Sequence, residues 1–197
     1  MVPDIQRVLR KEEILSFLRP AIIDKPYLPV DAALTRPAAV LVIIHYHEDR
    51  PYVFLTKRSS SLKLHAGEIS FPGGRYVESD GTFLATALRE TAEEVGIIFT
   101  TDQILGCLTA VRTMTSNHFI VPFVTIQDIL PQYRISTDEV DAVIDVPLIE
   151  TLKSIKLDTE HYHIAKDAYK FTFDKNIIWG ATASVLKQMY DLLIRAS

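Results

Sequence analysis

The chain has 197 residues, of which 48% are hydrophobic, and it carries a formal net charge of −4. This length suits one domain with a single core, the hydrophobic fraction excludes a disordered chain, and the acidic balance without a long basic run excludes a dedicated nucleic-acid binder. The single cysteine, Cys107, excludes an intrachain disulfide and a cysteine-rich zinc site, and no apolar run reaches the length of a membrane span, so we expect a cytoplasmic protein that binds no membrane.

The N-terminal part predicts a helix, an extended arm and a strand hairpin. Apolar residues recur at helical spacing over 4–18, and four prolines then favour an extended arm. The apolar, β-branched run 38–46 predicts a buried central strand, and a turn pairs it with a strand over 52–57. We therefore expect residues 1–37 to pack as a helix and arm on a domain that covers 38–197.

The remainder alternates short strands with helices. A helix over 82–95 ends at Gly96, because glycine commonly terminates helices, and Gly73-Gly74 reads as a turn before it. Helices on both faces of a mixed sheet predict an α/β/α sandwich. The other expected elements are strands over 68–71, 104–112, 118–125 and 142–146, a polar loop over 132–139, helices over 148–153 and 181–194, and a hairpin of 162–165 with 169–173.

Three carboxylates lie within five residues of the helix over 82–95. At 100° per residue, Glu90, Glu93 and Glu94 project at about 0°, 300° and 40° around its axis, so they share one stripe. Like charges one turn apart repel each other, and an acidic stripe on an ordinary helix is simply solvated. A cation would relieve the repulsion, and oxygen ligands at this density suit Mg²⁺ or Mn²⁺.

Residues 74–97 resemble the Nudix box, G-x5-E-x7-R-E-U-x-E-E-x-G-U, in which U is a bulky apolar residue. The second half of the box matches from Arg89 to Ile97, although Thr91 stands where an apolar residue is usual. The first half departs, because Arg89 follows Gly74 by fifteen positions instead of fourteen and Asp80 replaces the expected Glu. The longer spacing is typical of one branch of the Nudix hydrolases, the coenzyme A pyrophosphatases.

An upstream segment resembles the second motif of that branch, L-L-T-x-R-S-x-x-L-x-x-H-x-G-x-[IV]-x-F-P-G-G. Here residues 54–74 read FLTKRSSSLKLHAGEISFPGG. The resemblance implies a Nudix α/β/α sandwich with a mixed central sheet, acting on small nucleotide substrates of the coenzyme A class. It also makes a homodimer an expectation, with the N-terminal arm as a candidate for the interface.

The resemblance implies roles for the box residues. Glu90 and Glu94 become the principal ligands of Mg²⁺ or Mn²⁺, Glu93 a third or water-bridged ligand, and the Gly73 carbonyl also faces the metal. Arg89 becomes an orienting partner for a box carboxylate, although a surface salt bridge would explain it as well. The general base stays open between Glu139 of the later loop, with Asp138 behind it, and Glu90 itself. Glu68 is a further candidate to line the cleft.

Cations of the upstream motif are candidates to bind the phosphates of coenzyme A. They are Lys57, Arg58 and Lys63, and the resemblance gives His65 a role in positioning the loop or a phosphate. The family segment S-G-F-x-[VI]-x-P implies that Ser116 and Phe119 line the substrate pocket. Asn117 and His118 replace its lone glycine here, which alters the pocket rim and puts the substrate preference in doubt.

Three functions remain open from the sequence. The first is hydrolysis of coenzyme A or its thioesters to 3′,5′-ADP and a 4′-phosphopantetheine. The second keeps the fold and the metal but takes ADP-ribose, NADH or a nucleoside triphosphate, which the altered segment at 117–118 leaves possible. The third is a catalytically silent module that binds a nucleotide, and retention of all three box carboxylates argues against it.

Overall fold

The computed structural model describes residues 9–24, 26, 36–61, 65–113, 117–160 and 168–194. These residues form helices and strands in the alternating order that the sequence predicts. The helices are α1 Lys11–Leu18, α2 Phe83–Val95, α3 Leu148–Lys153 and α4 Gly180–Leu193. The strands are β1 Arg36–His47, β2 Arg50–Arg58, β3 Ile69–Ser70, β4 Gly73–Arg75, β5 Gly106–Cys107, β6 Val111–Arg112, β7 His118–Gln127, β8 Val140–Pro147, β9 Lys156–Leu157, β10 Tyr169–Phe173 and β11 Asn176–Ile178.

Strand β1 is the centre of a mixed sheet. It runs parallel to β7 along one edge and antiparallel to β2 along the other. Side chains alternate between the two faces of a strand, so successive residues of β1 enter different cores. Val42 and Ile44 pack in the layer with α1, α3 and α4, whereas Leu41 and Ile43 pack in the layer with α2. The predicted three-layer sandwich is therefore confirmed.

The sheet splits where β1 and β2 diverge. The two strands pair only as far as Ile43 opposite Phe54. Beyond that point the chain over 69–75 fills the wedge, because β3 pairs with β2 at Thr56 and Lys57 while β4 pairs with β1 over 38–40. This wedge brings Gly73 and Gly74 under α2, and it positions the candidate site.

Two sequence predictions need correction, and a third cannot be compared because one of its strands lies outside the described residues. Gly73-Gly74 lies in an extended strand and not in a turn, since β4 pairs with β1. The strand predicted over 104–112 is broken into β5 and β6, because residues 108–110 stand opposite only Val121 and Pro122, and proline has no N–H for the ladder. Strand β10 pairs with β9 and β11, while residues 162–165, its predicted partner, lie outside the described residues.

Helix α1 covers the far end of the sheet. Ile14 and Leu18 are fully buried in the α4 layer, and the Tyr46 hydroxyl donates to the Leu9 carbonyl over 3.0 Å. The predicted helix thus exists from Lys11 onwards, whereas residues 1–8 and most of the predicted arm lie outside the described residues. In the part of the chain that the structure describes, no helix has the length and hydropathy to cross a membrane.

Candidate active site

Helix α2 presents the carboxylates, and local sequence defines both of its ends. The Thr82 hydroxyl accepts a hydrogen bond from the Ala85 N–H over 3.0 Å, which caps the first turn. Gly96 terminates the helix with a left-handed φ of 69°, a conformation that glycine adopts at little cost. The following loop is tied to the last turn, because the Ser136 N–H donates to the Glu94 carbonyl over 2.8 Å.

Two glycines form a seat for the carboxylates of α2. A Cβ at Gly74 would lie 2.4 Å from the Glu90 carboxylate, so any larger residue would displace that side chain. A Cβ at Gly73, whose φ is 148°, would lie 2.4 Å from the Ala39 carbonyl oxygen of β1. Glycine is therefore required at both positions for β4 to fit between β1 and the two acidic side chains.

Glu94 is the most buried carboxylate of the cluster, with 3% of its surface exposed. One carboxylate oxygen accepts the Gly73 N–H over 3.0 Å, and the other lies 3.7 Å from the Arg58 guanidinium. Burial raises the pKa of Glu94 to about 7, and the neighbouring charges of Glu90 and Glu139 add to the shift against the opposing effects of Gly73 and Arg58. The site thus concentrates negative charge where burial excludes the water that would stabilise it.

Glu90 and Glu139 extend the cluster toward solvent. Burial raises the pKa of Glu90, with Glu93 and Glu139 adding repulsion that Arg89 opposes. Glu139 is exposed, and its turn is fixed because its carbonyl accepts the Ser59 N–H over 2.8 Å. Glu139, the predicted base candidate, therefore lies close enough for its negative charge to raise the pKa of Glu90 and of Glu94.

Arg89 is the centre of an ion-pair network. Its guanidinium donates to both oxygens of Asp80, over 2.8 and 3.0 Å, and to the Glu90 carboxylate over 2.9 Å. The Thr86 hydroxyl also donates to Asp80 over 2.7 Å, and the Asp80 side chain is only 6% exposed. These bonds hold the pKa of the Asp80 carboxyl well below its usual range. Such a network is more constrained than the surface salt bridge that would also explain Arg89.

The structure separates Glu93 from the buried Glu94 and the partly buried Glu90. Its side chain is 57% exposed and accepts a hydrogen bond from Arg89 over 2.8 Å, one helical turn away. Sequence geometry placed all three carboxylates on one stripe, but burial distinguishes them because β4 covers only the side of Glu90 and Glu94. Its role as a third or water-bridged ligand remains a prediction.

The oxygen ligands of this site suit a hard divalent cation that leaves part of its coordination shell open for water and substrate. Within the described residues, no three His, Cys, Asp or Glu side chains converge as a complete protein cage. Mg²⁺, however, is usually held by one or two carboxylates together with water and substrate phosphates. Glu90 and Glu94, with raised pKa values and no full neutralisation, supply that partial set. The Arg58 guanidinium lies beside the same cluster on β2, and its buried Nε has no hydrogen-bond partner among the described residues.

The upstream motif residues fall in different places. Arg58 lies on the α2 face beside Glu94, whereas Lys57 projects from the opposite face of β2, with its stem beside Gly67. His65 has a positive φ of 58° and bonds Glu68 through Nδ1 over 3.0 Å, which fits loop positioning. The predicted binding residues Lys63 and Ser116 lie outside the described residues.

Phe119 requires correction as a pocket residue. Its side chain is 7% exposed and packs in the core beneath α2. Because β7 alternates its faces, the neighbours His118 and Ile120 project to the other side of the sheet. Phe119 therefore supports the sheet and does not present a surface to a ligand.

Asn117 and His118, which replace the single glycine of the family segment, have different effects on the backbone and on the chemistry. Asn117 takes a left-handed φ of 53°, which asparagine tolerates better than most residues, and its side chain accepts from Arg112 over 2.9 Å. It therefore preserves the backbone shape that a glycine would provide. His118 is the chemical change, because it adds an imidazole at the first position of β7.

Sequence reasoning missed two residues of the network. Asp80 entered the sequence reading only as a departure from the box, and Thr86 did not enter it. The signal for Asp80 was its acidic character at the position of the box Glu, shifted by the extra residue. The signal for Thr86 was its position one turn before Arg89 on the same helix, because residues i and i+3 are neighbours on a helix surface.

Comparison with known proteins identifies a match over most of the chain. The NUDIX domain profile matches residues 35–168. A relative from Escherichia coli strain SMS-3-5 / SECEC, named uncharacterized Nudix hydrolase NudL, is 32% identical over 168 residues, which cover 84% of this chain and 86% of the relative.

Solved structures share the fold at low sequence identity. A NUDIX hydrolase from Alicyclobacillus acidocaldarius has a TM-score of 0.54 and 19% identity, covering 82% of this chain and 94% of that one. The NUDIX domain of Shewanella oneidensis NrtR, solved in complex with ADP ribose, has a TM-score of 0.52 and 21% identity, covering 81% of this chain and 96% of that domain. These likenesses establish the fold alone.

Proposed function

The chain belongs to the Nudix hydrolase family, a family of pyrophosphohydrolases that require divalent metal ions, and from this premise we propose that it hydrolyses the diphosphate bond of coenzyme A or acyl-coenzyme A. The products are 3′,5′-ADP and the corresponding 4′-phosphopantetheine. Mg²⁺ or Mn²⁺ is the proposed cofactor.

One observation carries the proposal: Glu90 and Glu94 are seated on the two glycines of β4. Their buried like charges make the site costly for the protein alone, since burial raises the pKa of each carboxyl. A divalent ion bound there would neutralise the charge of a diphosphate and lower the pKa of a bound water. Glu90 and Glu94 would hold the ion directly, together with the Gly73 carbonyl, and the more exposed Glu93 would contribute through water.

The remaining residues of the site orient Glu90, contact the diphosphate and accept the proton of the attacking water. Arg89 fixes Glu90 through a guanidinium that is itself clamped by Asp80. Arg58, next to Glu94, is placed to contact the diphosphate, so we assign it to the reacting centre. The water oxygen forms a new bond to phosphorus as the bridging P–O bond breaks, and Glu139 is the proposed acceptor of the water proton. Catalysis then depends mainly on positioning and on charge.

The coenzyme A class is supported by how the upstream motif folds. Its residues build the end of β2, then β3 and β4, which together form the wedge under α2. Arg58, Gly73 and Gly74 of the motif therefore contact or adjoin the carboxylate cluster.

The test is a substrate panel with purified protein and Mg²⁺ or Mn²⁺. Coenzyme A, an acyl-coenzyme A, ADP-ribose, NADH and ATP are incubated separately, and the products are resolved by chromatography. We expect 3′,5′-ADP from coenzyme A, with no product in EDTA or with Glu94→Gln. The Glu150→Gln variant, altered at an exposed residue of α3, is the matched control and should retain activity.

The panel also distinguishes the alternatives. Turnover of ADP-ribose or NADH without coenzyme A would overturn the substrate assignment and keep the family chemistry. Binding of a nucleotide without turnover of any panel member would favour the silent module instead.

A further inference from the structure

Three basic residues meet where β1 begins. Arg36 is the first residue of β1 and pairs with His118, the first residue of β7. Two residues further along β1, Ala38 pairs with Arg75, the last residue of β4. Paired residues on neighbouring strands are about 5 Å apart, so three strands bring these side chains into one neighbourhood.

The three side chains project from the same face of the sheet. Arg36 has the parity of Val42 and Ile44, which face the α4 layer. Residues directly opposite each other on paired strands share a face, so His118 and Arg75 also project to the α4 side. We call Arg36, Arg75 and His118 the basic cluster.

The two arginines of the basic cluster are not paired with a carboxylate of the described residues. Both Arg36 and Arg75 are exposed. Burial lowers the pKa of His118, and the positive charges of Arg75, Arg36 and His65 lower it further. Concentrated positive charge in a chain whose net charge is −4 marks a place where an anion would be favoured.

We propose that Arg36, Arg75 and His118 bind a phosphate monoester group. Arginine offers paired donors that match phosphate oxygens, and an imidazole adds a third donor when it gains a proton. The proposed substrate carries such a group as the 3′-phosphate of its adenosine. The assignment of the bound group as the 3′-phosphate of coenzyme A rests on the proposed function. The claim that the basic cluster binds a phosphate monoester does not depend on it.

The geometry relates the basic cluster to the reacting centre. Val40, which pairs with Gly73 under Glu94, is four residues from Arg36, or about 13 Å along the strand. In the described residues β4 pairs only with β1, so its other side faces the split between β1 and β2. Both sites adjoin β4, because Glu90 and Glu94 lie over Gly73 and Gly74 on the α2 face and Arg75 follows directly on the same strand. In the proposed complex Arg58 contacts the diphosphate, and the arginines of the basic cluster contact the 3′-phosphate on the same ribose.

The kinetic test compares coenzyme A with dephospho-coenzyme A, which lacks the 3′-phosphate. We expect Arg36→Gln and Arg75→Gln each to lower kcat/KM for coenzyme A by about tenfold while that for dephospho-coenzyme A changes less than about twofold. Arg50→Gln is the control, because Arg50 is an exposed arginine at the opposite end of β1. It should leave both substrates unchanged.

A binding test is independent of turnover. Protein labelled at its histidine ring carbons is titrated with adenosine 3′,5′-bisphosphate, 5′-AMP and inorganic phosphate, and the His118 resonance is assigned with His118→Gln. We expect the bisphosphate to move this resonance more than 5′-AMP does, and Arg36→Gln to weaken the effect.

The outcomes separate the two claims. If inorganic phosphate moves His118 in an arginine-dependent way while both coenzyme A forms react alike, the basic cluster is a site for free phosphate. If coenzyme A is not hydrolysed but the bisphosphate still moves His118, the basic cluster stands and the proposed function fails. If no phosphate compound moves His118 and the arginine variants do not discriminate between the substrates, the proposal is overturned.

Discussion

The two ends of β1 bury ionisable groups in opposite ways. Near Val40, Glu94 and Glu90 approach each other with the same charge, and burial raises the pKa of both. At the other end, His45 is buried beside a partner of opposite character, with its Nε2 bonded to Asp145 over 2.8 Å. The Nδ1 of His45 has no hydrogen-bond partner among the described residues, so the bond at Nε2 satisfies only one of its two ring nitrogens. Removing the partner of a buried polar group is destabilising, whereas like charges in a buried place cost stability unless a ligand joins them.

The comparison shows how to tell a structural polar pair from a binding site in one sheet. Tyr52 stacks on the His45 ring at 5.8 Å, so the His45–Asp145 pair is integrated into side-chain packing. The carboxylates instead face a seat made of two glycines, where backbone and not packing surrounds them. We therefore expect changes at the Glu94 end to alter activity and changes at the His45 end to alter stability.

The largest effect is expected from Glu94→Gln and Glu90→Gln. Each should lower kcat/KM by at least about 100-fold, because each removes a charge that would hold the metal and the diphosphate. Gln keeps the size and an acceptor for the Gly73 N–H, so the fold should survive. Steady-state kinetics and circular dichroism provide the measurement, and full activity of Glu94→Gln would refute the metal assignment.

The pH dependence of the unfolding free energy should reveal the cost of burying the charged Glu94 carboxylate. The Glu94 carboxyl has a pKa of 4.5 when unperturbed and about 7 in the folded protein. The folded state therefore holds more protons than the unfolded state across this window, and the stability of metal-free protein should fall as pH rises through it. The loss is at most about 3 kcal/mol by pH 8.

Denaturant unfolding in EDTA, compared with Glu94→Gln, measures this effect. Glu94→Gln should unfold with a weaker dependence on pH, and the two proteins should differ least near pH 4.5. Added Mg²⁺ should stabilise the parent protein more than the variant at pH 8. Identical pH profiles would show that Glu94 is not electrostatically strained.

The paired end predicts a smaller and opposite pattern. Asp145→Ala leaves the buried His45 Nε2 without its partner, which should cost about 1–3 kcal/mol of unfolding free energy. The catalytic constants should stay within about twofold, because the pair lies at the end of β1 away from the carboxylates. A large loss of activity with unchanged stability would contradict the prediction that the His45 end governs stability and the Glu94 end governs activity.

Local chemistry made helix α2 predictable. Thr82, Gly96 and the 3.6-residue spacing of the carboxylates act within a few residues of one another, so they can be read along the chain. The family motif then identified Glu90 and Glu94, which the structure brings together over β4. Helix α3 was predicted with the bounds that the structure has, 148–153.

Long-range pairing limited the rest of the prediction. A glycine pair ordinarily favours a turn, and only the divergence of β1 from β2 makes Gly73-Gly74 an extended strand. The break between β5 and β6 depends on Pro122 in a strand that follows them in the sequence. Such features depend on partners distant in the sequence, which neither periodicity nor propensity encodes.

The departures from the family motif had structural reasons that sequence alone could not supply. Asp80, with its shorter side chain and one added residue between it and Arg89, still accepts hydrogen bonds from Arg89 with both oxygens. Thr91 is buried, and its hydroxyl donates to the Ala87 carbonyl over 2.7 Å, so a polar residue is satisfied at an apolar position. Asn117 takes a left-handed φ of 53°, a conformation that glycine also adopts at little cost. Each departure thus preserved geometry while changing chemistry.

The smallest effect is expected from Glu93→Gln, which changes the one carboxylate of the stripe whose side chain is mostly exposed. The sequence groups Glu93 with the metal ligands, whereas the structure places it 57% exposed against Arg89. An exposed pair of this kind contributes under about 1 kcal/mol, so kcat/KM should fall by about two- to fivefold. Kinetics with Mg²⁺ across a concentration series makes the measurement. A loss as large as that of Glu94→Gln would establish Glu93 as a direct ligand, and the burial that separates it from Glu90 and Glu94 would then not govern metal binding.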